Sequence, residues 1–191
     1  MTGKEEKTSL EIDEQIKVAS QILERNINFI SNCDNKTAIL LTTIGVLFTI
    51  VLSADVIQLI TKIINNCLFE INILKFFNIV LFLFSFVLSV IGLYNLCGVL
   101  VARTKSPSNN TERQNSLIFF SGISQNIDEK IYSEKLYSMT KEKLLSDIIS
   151  QIYINSKIAD KKYLKYNRGF KSILLGIILF VIALLLGSSI L

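Results

Sequence analysis

Histidine is absent from the 191 residues, which removes the side chain on which most acid–base and metal chemistry depends. A Ser-His-Asp triad, a Cys-His dyad and an imidazole-ligated metal site are all excluded. The thiols Cys33, Cys67 and Cys97 are odd in number and too far apart for a CxxC motif. Neither a zinc site nor a disulfide framework is indicated, and three unpaired thiols are expected. Acid pairs, a nucleophile beside a base and a phosphate-cradling glycine loop are missing as well. The chain therefore reads as a non-enzyme with no metal and no cofactor. What could hold a ligand is positive charge, gathered at Lys161, Lys162, Lys165, Arg168 and Lys171 just before an apolar run.

The elements that must position these residues follow from where the apolar side chains sit. Half the residues are hydrophobic, and they are clumped in blocks that lack the charges a water-facing helix needs on its outer side. With a single proline, Pro107, and sparse glycine, nothing suggests a turn-rich β fold. An all-α integral membrane protein is expected. A helix rises about 1.5 Å per residue, so about 20 mostly apolar residues cross a hydrocarbon core of roughly 30 Å. Three segments qualify: about Ala38 to Ile60, whose uncharged part ends at Ala54 and is short but workable, Phe76 to Ala102, and Ile173 to Leu191. The first is not a cleaved signal peptide, because a long polar stretch precedes it. The predicted organisation is a cytosolic amphipathic helix within 1–37, a two-span hairpin with a short external loop over 38–102, a cytosolic helical region over 103–172, and a terminal span over 173–191.

Orientation comes from flanking charge. Arg103 to Lys171 holds 13 Lys and Arg against 7 Asp and Glu, whereas the 55–75 connection has only Lys62 and Lys75 as cations. The 103–171 segment is expected in the cytosol of a bacterial cell bounded by its inner membrane, with the N-terminus inside and the C-terminus outside. The basic cluster then serves as an anchor at the anionic inner leaflet, and this explains the charge without nucleic-acid binding.

In the N-terminal part, Ile12, Ile16, Ala19, Leu23, Ile27 and Ile30 recur at helical spacing, and Thr8-x-x-Glu11 has the form of a capping box. That stripe needs a partner, either the other cytosolic helices or a second protomer. Thr104 to Asn115 reads as a linker. Beyond it come the apolar SLIFFSGI stretch at 116–123, a helix starting near Ser124 or Asp128, and a stripe of Leu144, Leu145, Ile148, Ile149 and Ile152 that can run on into the last span. Within the spans, Thr42, Thr43, Gly45, Thr49, Asn78, Ser85, Ser89, Gly92, Asn95 and Gly98 serve either close helix packing or a polar pore lining in an oligomer. No charge lies among them, which argues against a proton relay or a voltage sensor.

Three local patterns, in order, resemble the transmembrane effectors of Pycsar antiphage-defence systems. The first is Asn26-Ile27-Asn28-Phe29-Ile30 followed by Asp34-x-Lys36-x-Ala38-x-x-Leu41 and Gly45. The second is Ser116 to Ile123 with Tyr132 and Leu136 behind it. The third is Asp147-x-x-x-Gln151-Ile152, then Ser156-x-Ile158 and Lys161-Lys162-Tyr163. Where the family pattern reads FFG-D-I, this chain inserts Ser121 and carries Ser124.

The resemblance implies an antiphage effector. A partner uridylate or cytidylate cyclase makes a cyclic pyrimidine nucleotide, cUMP or cCMP, and this protein senses it and impairs the inner membrane, causing abortive infection. A lipid bilayer and further copies of the chain are the other implied partners. For such a ligand, Arg113, Lys161 and Lys162 are candidates for the phosphate, Phe119, Phe120 and Tyr163 for stacking on the base, and Asn26, Asp34, Lys36 and Ser116 for polar contacts. Each has a plainer alternative: the phenylalanines as core, and Asp34 with Lys36 as an interfacial pair at a helix start. An interaction protein of the bacteriocin-immunity type, without a nucleotide ligand, is the competing function.

Overall fold

A computed structural model of the chain describes residues 11–69, 72–101, 116–126 and 128–190. Thr8 of the expected capping box, the 104–115 linker and Arg113 lie outside them. Every regular element among the described residues is helical: α1 (Ile12–Val51), α2 (Ala54–Phe69), α3 (Ile73–Leu100), α4 (Phe120–Ile123), α5 (Glu129–Tyr137) and α6 (Lys141–Ile190). Three of these, α1, α3 and α6, are long and apolar enough to cross a membrane. The described residues fall into two compact units, one drawn from 1–31 and 102–160, the other from 32–101 and 161–191.

The helix boundaries follow from local chemistry. The first span, expected to reach Ile60, stops at Val51. Leu52 and Ser53 close the turn by donating their N–H groups to Phe48 and Ile50, and the Ser53 carbonyl accepts from Ile57 to begin α2. Asp55 then sits in the first turn of α2, where a helix dipole favours a carboxylate. The connection read as a short loop is thus largely helix. At the start of α3 the Asn72 side chain accepts from the Ile73 N–H at 2.7 Å. At the start of α6 the Thr140 hydroxyl accepts from the Lys143 N–H at 3.4 Å, and from there one helix carries both the 144–152 stripe and the last apolar run.

The second unit is built around a seam between α3 and α6. On α3 the buried positions Asn78, Ser85, Gly92 and Val99 repeat every seven residues, and on α6 Lys162, Gly169, Gly176 and Ala183 do the same. A seven-residue repeat keeps one face of each helix turned to the other along their length. Most of these residues are small, so the backbones approach closely. A Cβ on Gly92 would stand 2.5 Å from Ile173 Cγ1, 2.9 Å from the Ile173 nitrogen and 3.0 Å from the Gly169 oxygen, and one on Gly176 would meet Ser89 Oγ at 2.7 Å.

Polar atoms at this seam are paired. Ser85 Oγ donates to the Gly176 carbonyl at 2.9 Å. The Asn78 amide, oriented to satisfy both neighbours, donates to the Ala183 carbonyl at 3.1 Å and accepts from the Gly187 N–H at 3.0 Å. Ile44 of α1 joins Leu96 and Ile173 in the apolar core. On α2, Ile63 and Cys67 are buried, and Asn66 donates to the Ile190 carbonyl at 3.0 Å while accepting from Lys75 at 3.1 Å. Large side chains turned outward, such as Leu83, Phe86 and Leu185, are each more than 60% exposed. In water that surface would be a liability, whereas in lipid it carries no cost because the tails are equally apolar.

The first unit holds α4, α5 and the ends of α1 and α6 that belong to it. Ala19 of α1 and Ile148, Ile154 and Ile158 of α6 are buried. Of the α1 stripe, Ile27 is 51% exposed. The inward place next to it belongs to Asn26, whose amide donates to the Ile152 carbonyl at 3.3 Å.

Candidate functional site

A polar cleft of about 750 Å³ opens in the first unit. Its fixed ledge is the segment 116–119. Ser116 Oγ accepts from the N–H groups of Ile118 at 3.3 Å and Phe119 at 3.0 Å, which turns the chain into α4 as an N-terminal cap does. The Leu117 peptide is pinned from both sides. Its N–H donates to Asp147 Oδ2 at 2.9 Å, and its carbonyl accepts from the Tyr132 hydroxyl at 3.0 Å.

One wall is a polar face of α6. Lys143, Ser146, Asp147 and Ser150 all line the cleft, at the three- and four-residue intervals that align side chains along a helix. The opposite side brings Asn126, Lys135 and Ser138. Lys135 Nζ donates to Asn126 Oδ1 at 2.7 Å, and the Asn126 amide nitrogen donates to the carbonyls of Gly122 and Ile123 at 3.1 Å each.

Two features mark the cleft as more than a surface depression. Lys143 has no ion-pair partner among the described residues, so its ammonium is available to an anion. The buried Oγ of Ser150, in the cleft wall, has no hydrogen-bond partner among the described residues. Neighbouring Gln151 is 2% exposed and has neither amide atom paired. Buried polar atoms are nearly always satisfied, and an orphaned hydroxyl on a cleft wall is what a polar ligand would satisfy. In the first turn of α6, the Glu142 carboxyl is held below its usual range by its own backbone N–H and by Thr140.

The residues proposed from sequence are dispersed. Ser116 is buried in the cleft wall. Phe119 and Phe120 belong to the same unit, their ring centres 4.6 Å apart, but they do not line the cleft. Phe120 is 60% exposed. Asn26 is engaged with Ile152, as above. Asp34, Lys36, Lys161, Lys162 and Tyr163 belong to the second unit. Two of those meet: Lys162 Nζ donates to Asp34 Oδ1 at 2.5 Å, with the lysine side chain 6% and the aspartate 34% exposed. Lys36 and Lys161 are exposed.

Beside that pair, Cys33 is 1% exposed. Burial, and after it the adjacent Asp34 carboxylate, pushes its thiol up. A thiol so placed stays protonated and unreactive.

Sequence reasoning missed Asn126, Lys135, Lys143 and Ser150. The signal that could have found the two α6 positions among them is the 143, 146, 147, 150 spacing, which is polar and runs beside the apolar stripe.

Three apolar helices define the class, a multi-pass membrane protein, and a polar, cation-bearing cleft lies outside the apolar runs. The family model for the Pycsar effector protein domain matches residues 18–187. The chain is 30% identical over 190 residues to the Pycsar effector protein GmPycTM of Gulbenkiania mobilis, covering 93% of this chain and 95% of that protein. It is also 30% identical over 154 residues to the Pycsar effector protein EcPycTM of Escherichia coli, covering 81% and 80%. No solved structure matches. The chain belongs to the Pycsar effector family of transmembrane antiviral-defence proteins.

Proposed function

We propose that this protein is an antiphage effector that senses a cyclic pyrimidine nucleotide, cUMP or cCMP, in the cleft of its first unit and responds by impairing the inner membrane. The ligand comes from a partner uridylate or cytidylate cyclase, and the response ends the infection by killing the cell. The observation that carries this reading is the coexistence, in one chain of this family, of the cleft with its uncommitted Lys143 and the three apolar helices. The cleft volume falls within the range of small-molecule sites, roughly 300–1,000 Å³. Lysines at its mouth suit a phosphodiester, and hydroxyl and amide groups suit a ribose and a base edge.

The cation-rich segment Arg103 to Lys171, which includes much of the first unit, supports a cytosolic position for that unit, on the side where the nucleotide is made. Among the described residues the α3–α6 seam is closed by small side chains. Membrane damage therefore requires several copies to assemble, or the spans to repack. A ligand drives such a change only by binding one arrangement more tightly than the other.

Dye-loaded liposomes carrying the purified protein test the reading. Leakage is expected on adding cyclic UMP or cyclic CMP and is expected to disappear in Lys143→Ala. Absence of leakage with both nucleotides overturns it.

A further inference from the structure

Among the described residues, the Asp147 carboxylate is the one acidic group lining the cleft. Its Oδ2 accepts from the Leu117 N–H at 2.9 Å, and among the described residues no lysine or arginine pairs with it. The Leu117 peptide is itself fixed by the Tyr132 hydroxyl, so the carboxylate is held in place before any ligand arrives. Lys143 lies one helical turn before Asp147 and shares the same wall.

We propose that this cleft prefers cytosine to uracil and that Asp147 is the specificity-determining residue, accepting a hydrogen bond from the exocyclic amine of the base. This rests on the cleft being the nucleotide site. An ionised carboxylate only accepts hydrogen bonds, and acceptance from the cytosine amine is the pairing expected of Asp and Glu. Uracil carries a carbonyl oxygen where cytosine carries that amine, so two acceptors face one another. Its single ring donor, N3–H, stands between two carbonyl oxygens, and a carboxylate that reaches it meets them as well. The cations for the phosphate are Lys143 and Lys135, which leaves the carboxylate to the base.

Calorimetric titration of the full-length protein in detergent with cyclic CMP and cyclic UMP decides the matter. Cyclic CMP is expected to bind at least about tenfold more tightly. Asp147→Asn keeps an oxygen for the Leu117 N–H and turns an amide NH₂ to the base, which matches uracil, so the preference is expected to vanish or invert. Equal binding of both nucleotides by the wild type, or tighter binding of cyclic UMP, overturns the base preference, as does a tenfold preference retained in the variant. The wild-type ratio decides alone if the variant fails to fold. Should neither nucleotide bind, or should Lys143→Ala leave both affinities unchanged, the cleft is not the nucleotide site and the proposed function loses its carrying observation together with this inference. Equal affinities that both depend on Lys143 remove the base preference alone.

Discussion

The two units of this protein treat polar atoms in opposite ways. In the second unit, each polar group that reaches the α3–α6 seam is tied down: Ser85 to the Gly176 carbonyl, Asn78 to Ala183 and Gly187, with glycines fitted so closely that a methyl group has no room. Among the described residues of the first unit, a hydroxyl and an amide are buried without hydrogen-bond partners, and Lys143 lines the cleft without an ion pair. A region whose hydrogen bonds are complete is finished when the chain folds. A region with orphaned donors and acceptors is finished only when something enters it. The difference separates a part closed on itself from a part that, under the proposed function, receives the ligand, and it can be broken by substitution on either side.

The largest effect belongs to the seam. Gly92→Val adds a branched side chain where even a Cβ would stand 2.5 Å from Ile173 Cγ1 and 2.9 Å from its backbone nitrogen. The backbone nitrogen cannot step aside as a flexible side-chain end can, so the helices must part. Overpacking of this kind costs about 3 kcal/mol, and the expected outcome is a large fall in the thermal midpoint of the purified protein. A midpoint within a degree or two of the wild type would mean that the seam is not the rigid element.

An intermediate effect belongs to the Asp34–Lys162 pair. Lys162 occupies the same seven-residue repeat as Gly169 and Gly176, so it is the one charge built into the line of the seam. Replacing it by Met removes the partner of an aspartate that is only one-third exposed. A fully buried pair broken this way costs several kcal/mol and an exposed pair almost nothing. With one partner buried and the other part-exposed, about 1–2 kcal/mol is expected. Asp34→Asn combined with Lys162→Met is expected to cost less than the sum of the single changes, since each removes the other's need. Additive losses in chemical or thermal denaturation would show that the two charges do not support one another.

How much of this was legible in the sequence divides along the same line. Uncharged apolar runs long enough to span a bilayer are a composition signal, so α3 could be placed within a few residues and the apolar runs of α1 and α6 could be recognised as spans. The stop at Val51 was missed because Leu52 looks like more of the same run, while the turn depends on backbone bonds at Leu52 and Ser53. The small residues Ser85, Ser89 and Gly92 were visible as packing residues, but their α6 counterparts Gly169 and Gly176 were hidden in the basic cluster and the last apolar run. The candidate site was the least legible. Charge density drew attention to Lys161 and Lys162, yet Lys162 is spent on Asp34, and the cleft takes its cations from Lys135 and Lys143, two isolated lysines in unremarkable polar stretches. Among the described candidates, Ser116 alone lies in the cleft wall, and it was found through its family pattern and not through its chemistry. Asp147 was noticed in a motif and not as a site residue, because its place opposite Leu117 depends on a contact thirty positions away in the chain.

The smallest effect on stability, and the one that most sharpens the contrast, is expected at Ser150. Its Oγ is buried on the cleft wall without a partner. Removing half of a hydrogen-bonded pair normally strands the other half and costs about 1–3 kcal/mol, but here no partner is left behind. Ser150→Ala is therefore expected to leave the ligand-free protein unchanged in stability or slightly more stable, since a desolvated hydroxyl has been deleted. Binding should respond in the opposite sense. If the orphaned hydroxyl is completed by the incoming nucleotide, its loss weakens affinity by a few-fold to about tenfold, in keeping with a net hydrogen bond of about 0.5–1.5 kcal/mol. Thermal midpoints measured with and without saturating cyclic nucleotide read both quantities, because a ligand that binds only the folded state raises the midpoint according to its affinity. A variant that loses stability without ligand would show that Ser150 already has a structural task. A variant that keeps the full ligand-induced shift would show that the nucleotide does not complete it. In either case the cleft would be as self-sufficient as the seam, and the distinction between the two units would fall.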